Sequence, residues 1–222
     1  MHMRRGSFPT VVVISFLVTA CTPAIHILKP DRANPFDPVT QAVVSFETKF
    51  NPGEAWHVDL DGTNLSGFSP APVPGGTSSV PLSITSAGTH KITASATCGT
   101  FCVYNSDVVD FTPPALIYNS TSYVRVDRNL KQFQPDSVYV GVQNFRSVPI
   151  SVTIVETSSP KRVKLAAPGG AFQPPGSAIT VTIPASTTKA DFQIQGDVLG
   201  FYVLGFNAPG VAGGVGAGNV MP

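Results

Sequence analysis

The run Trp56-His57-Val58-Asp59-Leu60-Asp61-Gly62-Thr63-Asn64 is the densest group of side chains able to do chemistry in this chain. Asp59, Asp61 and Asn64 could bring oxygen ligands round a turn, in the manner of part of a calcium loop. A complete loop needs further ligands at fixed spacing and a closing glutamate, and neither is present. The competing reading is a strand ending in an Asp-Gly turn, with Asn64 bonding its own backbone. Trp56 could stack on a sugar ring. As the single tryptophan on an alternating apolar face it also reads as a core residue. The candidate ligand contacts are therefore Trp56, His57, Asp59 and Asp61, and no metal site is expected.

Other reactive groups are sparse. A Ser-His-Asp hydrolase would need a nucleophile turn such as Gly-x-Ser-x-Gly, which is absent. There is no His-Glu-x-x-His, no Gly-rich phosphate loop and no dinucleotide fingerprint. Beyond residue 20 the histidines are His26, His57 and His90, and the glutamates are Glu47, Glu54 and Glu156. Paired carboxylates meet only in space, so a dispersed hydrolase site stays open as an alternative. No catalytic residue and no cofactor is expected. Lys161-Arg162-Val163-Lys164 reads as a solvated strand edge, where lysine discourages aggregation, rather than an anion site. Cys98-Gly-Thr-Phe-Cys102 does not have the Cys-x-x-Cys spacing, and no second pair exists to complete a zinc site.

The elements that must position these groups are strands. Charged residues make up 12% of the chain, and Gly and Pro number 20 and 21. That is a turn-rich, low-charge composition with many Val, Thr and Ser, which favours β-structure. No helical heptad pattern runs uninterrupted anywhere. Residues 41–113 form a first expected β-domain, with strands at Ala42–Phe46, Ala55–Leu60, Val80–Ile84, Gly88–Ala96 and Val108–Phe111. In the second strand Trp56, Val58 and Leu60 share one face, and His57 and Asp59 the other. His90, like His57, is expected on a polar face. Residues 115–222 form a second unit, with strands at Tyr123–Val126, Ser137–Val142, Ile150–Ile154, Ile179–Ile183, Ala190–Ile194 and Gly200–Phe206. Val211–Gly218 is glycine-rich and expected to be a loop, leaving only Asn219–Pro222 for a last strand. Gly88, Ile92, Ala94, Ala96 and Val108 match Gly200, Leu204, Phe206, Ala208 and Val220 at a constant offset of 112.

Two resemblances follow from these residues. Arg4 and Arg5 precede an apolar run from Phe8 to Val18, too short for a permanent span of about 20 residues. Positive start, apolar core and small residues before a cut read as an export signal over residues 1–20. Its end, Val18-Thr19-Ala20-Cys21, resembles the lipobox of bacterial lipoproteins. That resemblance implies a diacylglyceryl thioether on Cys21, cleavage before it, and acylation of the new amine, palmitate being a typical chain. Thr22 departs from the Asp that retains enteric lipoproteins in the inner membrane, which implies the outer membrane, facing the periplasm or the surface. With Cys21 consumed by lipid, Cys98 and Cys102 are left as a pair in an oxidising compartment, so a disulfide is expected between them, ahead of a redox or metal pair or free thiols. Thr22–Thr40 carries Pro23, Pro30, Pro35 and Pro38 and reads as an extended tether over residues 21–40.

The second resemblance is to tandem immunoglobulin-like domains of bacterial surface proteins. It rests on the Gly-x-x-x-apolar-x-apolar-x-Ala strands at Gly88 and Gly200, and on a Val-x-Ile-Pro-Ala-x-Thr-Thr-x-Ala-x-Phe hairpin at Val181–Phe192. It implies an all-β fold of two small immunoglobulin-like sandwiches. Loss of residues 1–20 takes the net charge from +1 to −1, which leaves no basic field for nucleic acid. The expected function is non-catalytic: a lipid-anchored outer-membrane protein presenting two modules to another protein or a surface polymer. The alternatives are a carbohydrate-binding module, with Trp56 or a row of Tyr104, Tyr118, Tyr123 and Tyr139 exposed, and a hydrolase.

Overall fold

A computed structural model describes residues 25–47, 55–65, 76–97, 105–120 and 129–222. The described residues form two β-sandwiches joined in sequence and contain no helix. In the first, β1 (Ile25–Lys29), β2 (Gln41–Phe46) and β5 (Thr77–Pro81) make a three-stranded sheet ordered β1-β2-β5. It faces a sheet ordered β4-β3-β6-β7, built from β3 (Ala55–Leu60), β4 (Thr63–Asn64), β6 (His90–Thr97) and β7 (Asn105–Phe111). In the second, β8 (Ile117–Ser120), β10 (Pro135–Gly141), β12 (Val163–Ala166) and β14 (Lys189–Gly196) form a sheet ordered β12-β14-β10-β8. Its partner layer is ordered β13-β11-β15-β16-β9, from β9 (Asn129–Lys131), β11 (Ile150–Glu156), β13 (Ile179–Ile183), β15 (Gly200–Asn207) and β16 (Gly214–Met221). Pairing is antiparallel throughout the named strands except between β9 and β16. Both units are immunoglobulin-like sandwiches: in the first the chain crosses between facing sheets at β2–β3, β4–β5 and β5–β6, and in the second at every step from β8 to β15.

The cause is two-residue alternation. In β11, Ile150, Val152 and Ile154 point inward while Ser151 and Thr153 face out, and β13 repeats this with Ile179, Val181 and Ile183 against Thr180 and Thr182. A strand so patterned can bury only one face, so two sheets close over a shared core. Trp56, Val58, Ile92, Ala94 and Phe111 fill the first core; Tyr202, Leu204, Phe206, Val152 and Phe192 are among those filling the second. The repeat at offset 112 falls on β6 and β15, and Gly88 and Gly200 enter those strands with φ of 119° and 120°. It breaks at its last position. Val220 is buried, but Val108 is exposed and its neighbour Val109 takes the inward place on β7.

Four expectations change. The tether does not hold for residues 25–40: Ile25 and Ile27 are buried and β1 pairs with β2, because the isoleucines alternate and belong to the first core. The turn-rich segment after it is also tied down. Thr112 N–H donates to Pro35 O at 2.8 Å and Val39 N–H donates to Gly210 O at 3.1 Å. The Asp37 carboxylate accepts from the Ser147 N–H at 2.8 Å and from the Ser147 hydroxyl. The Val39 and Asp37 bonds join the two sandwiches, and Pro113 and Pro114 are buried.

The glycine-rich stretch expected as a loop is strand β16. Gly216 lies against Tyr118, where a Cβ would stand 2.2 Å from the ring, so glycine is what lets the strand approach. The Val181–Phe192 segment is not a hairpin. β13 and β14 belong to opposite sheets, and Pro184–Thr188 carries the chain across the core edge. His90 is buried, since it lies two residues before Ile92 and shares that inward face. The strand expected at Tyr123–Val126 lies outside the described residues, as do Cys21, Cys98, Cys102 and the whole of residues 1–24.

Between β11 and β12 the chain also changes sheets, and Glu156 holds that crossing. Its side chain is 1% exposed. The carboxylate accepts from Arg162 N–H at 2.8 and 2.9 Å, from Val163 N–H at 3.1 Å and from the Ser158 hydroxyl at 2.5 Å. Leaving buried donors without an acceptor costs about 1–3 kcal/mol for each. Glu156→Ala should therefore destabilise the second sandwich by about 3 kcal/mol. Urea unfolding followed by tyrosine fluorescence reads this; an unchanged midpoint would refute the role.

Candidate functional site

The candidate contacts read from sequence are spread along β3 and its turn, with Trp56 facing the core and His57 and Asp59 the outer side. Trp56 is 4% exposed and meets the Phe46 ring edge-on, with centroids 5.2 Å apart. It is a core residue. Tyr118 and Tyr139 are buried as well, and Tyr104 and Tyr123 lie outside the described residues. The aromatic row that a carbohydrate platform needs is thus not formed by Trp56, Tyr118 and Tyr139. His57 and Asp59 share the outer face as expected, with His57 Nε2 3.2 Å from Asp59 Oδ2.

Asp61 and Gly62 form the turn between β3 and β4, both at positive φ (51° and 81°), the conformation a two-residue hairpin of this twist requires. Asp61 then bonds across to β6. Its Oδ1 accepts from Lys91 N–H at 2.8 Å and its Oδ2 lies 2.7 Å from His90 Nδ1. His90 Nε2 is 3.1 Å from the Ser86 carbonyl. Both nitrogens facing acceptors suits the imidazolium. Burial alone lowers the His90 pKa, but the Asp61 bond, the Ser86 carbonyl and the Asp61 charge outweigh it and raise it above 6.5. The His90 and Lys91 bonds hold the Asp61 carboxyl below 3.8. With both oxygens engaged inside the fold, Asp61 serves the turn. Among the described residues, no group of three or more His, Cys, Asp or Glu side chains could hold a metal.

The basic run is likewise bonded to neighbouring parts of the fold. Lys161 Nζ donates to Glu156 O, Arg162 donates to Leu199 O, and Lys164 Nζ pairs with Asp197 at 2.5 Å. β12 is an edge strand, as read from the sequence.

The surface that stands out holds none of the candidate contacts read from the sequence: it is the outer face of the β13-β11-β15-β16-β9 sheet. Its outward residues include Thr153, Val155, Phe201, Val203, Val215 and Met221, and the only charge among them is Lys131, on the short edge strand β9. Val215 is 79% exposed, Phe201 56% and Met221 47%. Val155, Gly205 and Val215 stand side by side in register across three strands. The Thr157 methyl covers one side of Gly205, 3.1 Å from where a Cβ would stand, so the depression between the two valines opens toward Thr153, Asn207 and Gly213. A groove of about 500 Å³ opens there. The opposite outer face of the same sandwich carries Lys164, Lys189 and Asp191. The signal was available in the alternation: outward positions of β11, β13, β15 and β16 hold only Thr, Ser, Val, Phe, Gly, Asn, Ala and Met.

The class these features define is a tandem of immunoglobulin-like sandwiches. No protein-family model and no curated protein matches the chain. Among solved structures it is similar to a Parabacteroides merdae β-glucuronidase, at 15% identity and a TM-score of 0.31, over 88% of this chain and 24% of that one. It is also similar to three N-terminal domains of the bacteriophage RB49 highly immunogenic outer capsid protein (9% identity, TM-score 0.39, 90% and 58% covered). A third similarity is to fibronectin(III)-like modules of Clostridium thermocellum CbhA (10% identity, TM-score 0.31, 89% and 93% covered). The chain spans about a quarter of the length of the glucuronidase. Likenesses at these TM-scores carry no statement about activity or partner.

The Asp61–His90 pair generates a pH dependence. A raised histidine value stabilises fully below about 6.5, and the contribution is lost as pH rises through the folded value. A lowered carboxyl value stabilises above about 3.8 and is lost as pH falls through the folded value. The pair should therefore stabilise most between about pH 4 and 6.5. Melting temperature against pH for the parent and His90→Gln should diverge in that window and converge toward alkaline pH. Parallel curves would sink the assignment.

Proposed function

We propose that the chain is a lipid-anchored protein of the bacterial outer membrane that presents two immunoglobulin-like modules as contact surfaces and carries out no catalysis. The observation that carries the contact role is the difference between the two outer faces of the second sandwich. One bears Lys164, Lys189 and Asp191, while the other exposes Val215, Phe201 and Met221 and is charged only at its edge. Depletion of charge with retained large apolar groups is the mark of an interface core rather than of ordinary surface.

The anchor reading rests on Val18-Thr19-Ala20-Cys21 behind an apolar run. Lipid chains contribute about 0.8 kcal/mol for each buried CH₂, and two or more chains hold a protein stably on a bilayer. The first described residue, Ile25, lies four positions beyond Cys21 and is already in the first core, so an anchor on Cys21 would hold the sandwich close to the lipid.

Cys21→Ala should abolish incorporation of labelled palmitate and move the protein from the membrane to the soluble fraction. Retention in the membrane without any lipid label would overturn the anchor.

A further inference from the structure

We propose that the uncharged outer face of the β13-β11-β15-β16-β9 sheet binds a second copy of this chain, face to face about a two-fold axis. The proposal rests on reading that face as a contact surface, but not on the lipid anchor.

Three observations select a second copy. The first is shape. Phe201 projects from β15 and is 56% exposed, and Gly205 on the same strand floors the groove between Val155 and Val215. The projection and the hollow lie four residues apart, about 13 Å along a strand. Val203 is midway between them. A two-fold axis lying in the interface and crossing β15 at Val203 reverses the strand direction. It thereby places Phe201 of each copy over the Gly205 groove of the other. A bump and a hollow symmetric about one residue make a surface complementary to itself, which is the requirement of an isologous interface. The groove volume of about 500 Å³ admits a phenyl ring.

The second is charge. Two copies of a face bearing Lys and Asp at fixed places would meet with like charges in some registers. Here the outward residues of β13, β11, β15 and β16 carry none, and Lys131 falls at the edge, where water can reach it. An uncharged face offers nothing to steer a charged partner, but it docks on its own kind without an unpaired ion.

The third is size. With strands about 4.8 Å apart and about 3.3 Å per residue, the face spans roughly 20 by 25 Å. Two copies would bury about 1,000 Å² in total, the lower bound for a specific interface. A reversible dimer follows, not an obligate one. Confinement to a membrane surface would raise its occupancy through effective concentration.

The test is site-directed cross-linking in the full chain expressed with its own leader. Packed sheets lie about 10 Å apart, too far for a direct disulfide, so Val203→Cys is probed with a short bis-maleimide. Expected is a product of twice the chain mass, above the background of the parent with its own three cysteines. Gln193→Cys, on the outer face of the opposite sheet, should give none. Adding Val215→Lys to Val203→Cys should reduce the product about tenfold or more, since an unpaired charge in the interface costs at least a decade of affinity. Val215 is 79% exposed, so this change leaves the core intact, and protease resistance checks that it does. Equal product from Val203→Cys and Gln193→Cys, or no effect of Val215→Lys, overturns the proposal. Cross-linking of Val203→Cys only to a different protein overturns self-association and leaves the contact reading standing. No adduct of any kind overturns both.

Discussion

The second sandwich depends on one close approach, that of the Tyr118 ring to the backbone of β16. The ring stacks on Phe206, with centroids 5.5 Å apart and planes at 22°, and lies 6.1 Å from Phe192. Its hydroxyl is 3.3 Å from that of Tyr202. These aromatic contacts bring residues of both sheets together at one edge of the core. The space the ring fills is the space that side chains at β16 would otherwise take. A Cβ on Gly216 would overlap the ring, and one on Gly214 would stand 2.2 Å from Leu116 O. Tyrosine on one sheet and glycine on the other are therefore a single packing solution. It also shapes the outer face, because small residues inside leave β16 free to place Val215, Ala217 and Met221 outside.

The same logic explains how much was legible. Alternation of β-branched and polar residues identified β11 and β13 to the residue or nearly so, and β3 with its Asp-Gly turn, because period-two patterning is a direct image of a half-buried sheet. β16 was not legible. Glycine carries no hydropathy, and a run of it reads as a turn unless the facing tyrosine is known. β1 was obscured by the surrounding prolines, although the buried pair Ile25 and Ile27 has the right spacing. The Val181–Phe192 pattern marked two real strands and a real turn. What a local pattern could not carry was the pairing, since a turn that leads back to its own sheet and one that crosses to the other can share residue types.

Among the candidate contacts, the outcome followed parity. Trp56 shares its face with Val58, so the core that claims one claims both, and the indole is lost to any ligand. His57 and Asp59 took the other face. His90 could have been placed by counting two residues back from Ile92, but its charge argued against burial. The structure resolves that conflict through Asp61 and Ser86, which supply acceptors to both ring nitrogens. Residues that looked reactive in sequence thus carry turn and strand-end functions: Asp61 closes a hairpin, and Glu156 holds a sheet crossing.

This distribution of polar chemistry bears on where a partner could act. Asp37 bonds Ser147 across the two sandwiches, Val39 bonds Gly210, and Arg146 donates to Pro184 O at 3.0 Å from a site 4% exposed. Burial depresses the pKa of that arginine, while the Asp37 charge acts in the opposite sense and helps keep the guanidinium charged. The Asp37 and Val39 bonds hold the sandwiches to each other, whereas the Arg146 bond stays within the second sandwich and its buried Nε and Nη1 have no hydrogen-bond partner among the described residues. Those of the first sandwich hold its own strand ends, as when Asp107 accepts from Ile27 N–H and from Arg32. The opposite face of the second sandwich keeps Lys189 over the Tyr139 ring, 5.2 Å from its centroid. Apart from those two arginine nitrogens, the charged groups named here have intramolecular partners. The outer face of β11, β15 and β16 has none to satisfy, and its exposed valine, phenylalanine and methionine gain only by leaving water. Association through that face would remove apolar area without desolvating an ion.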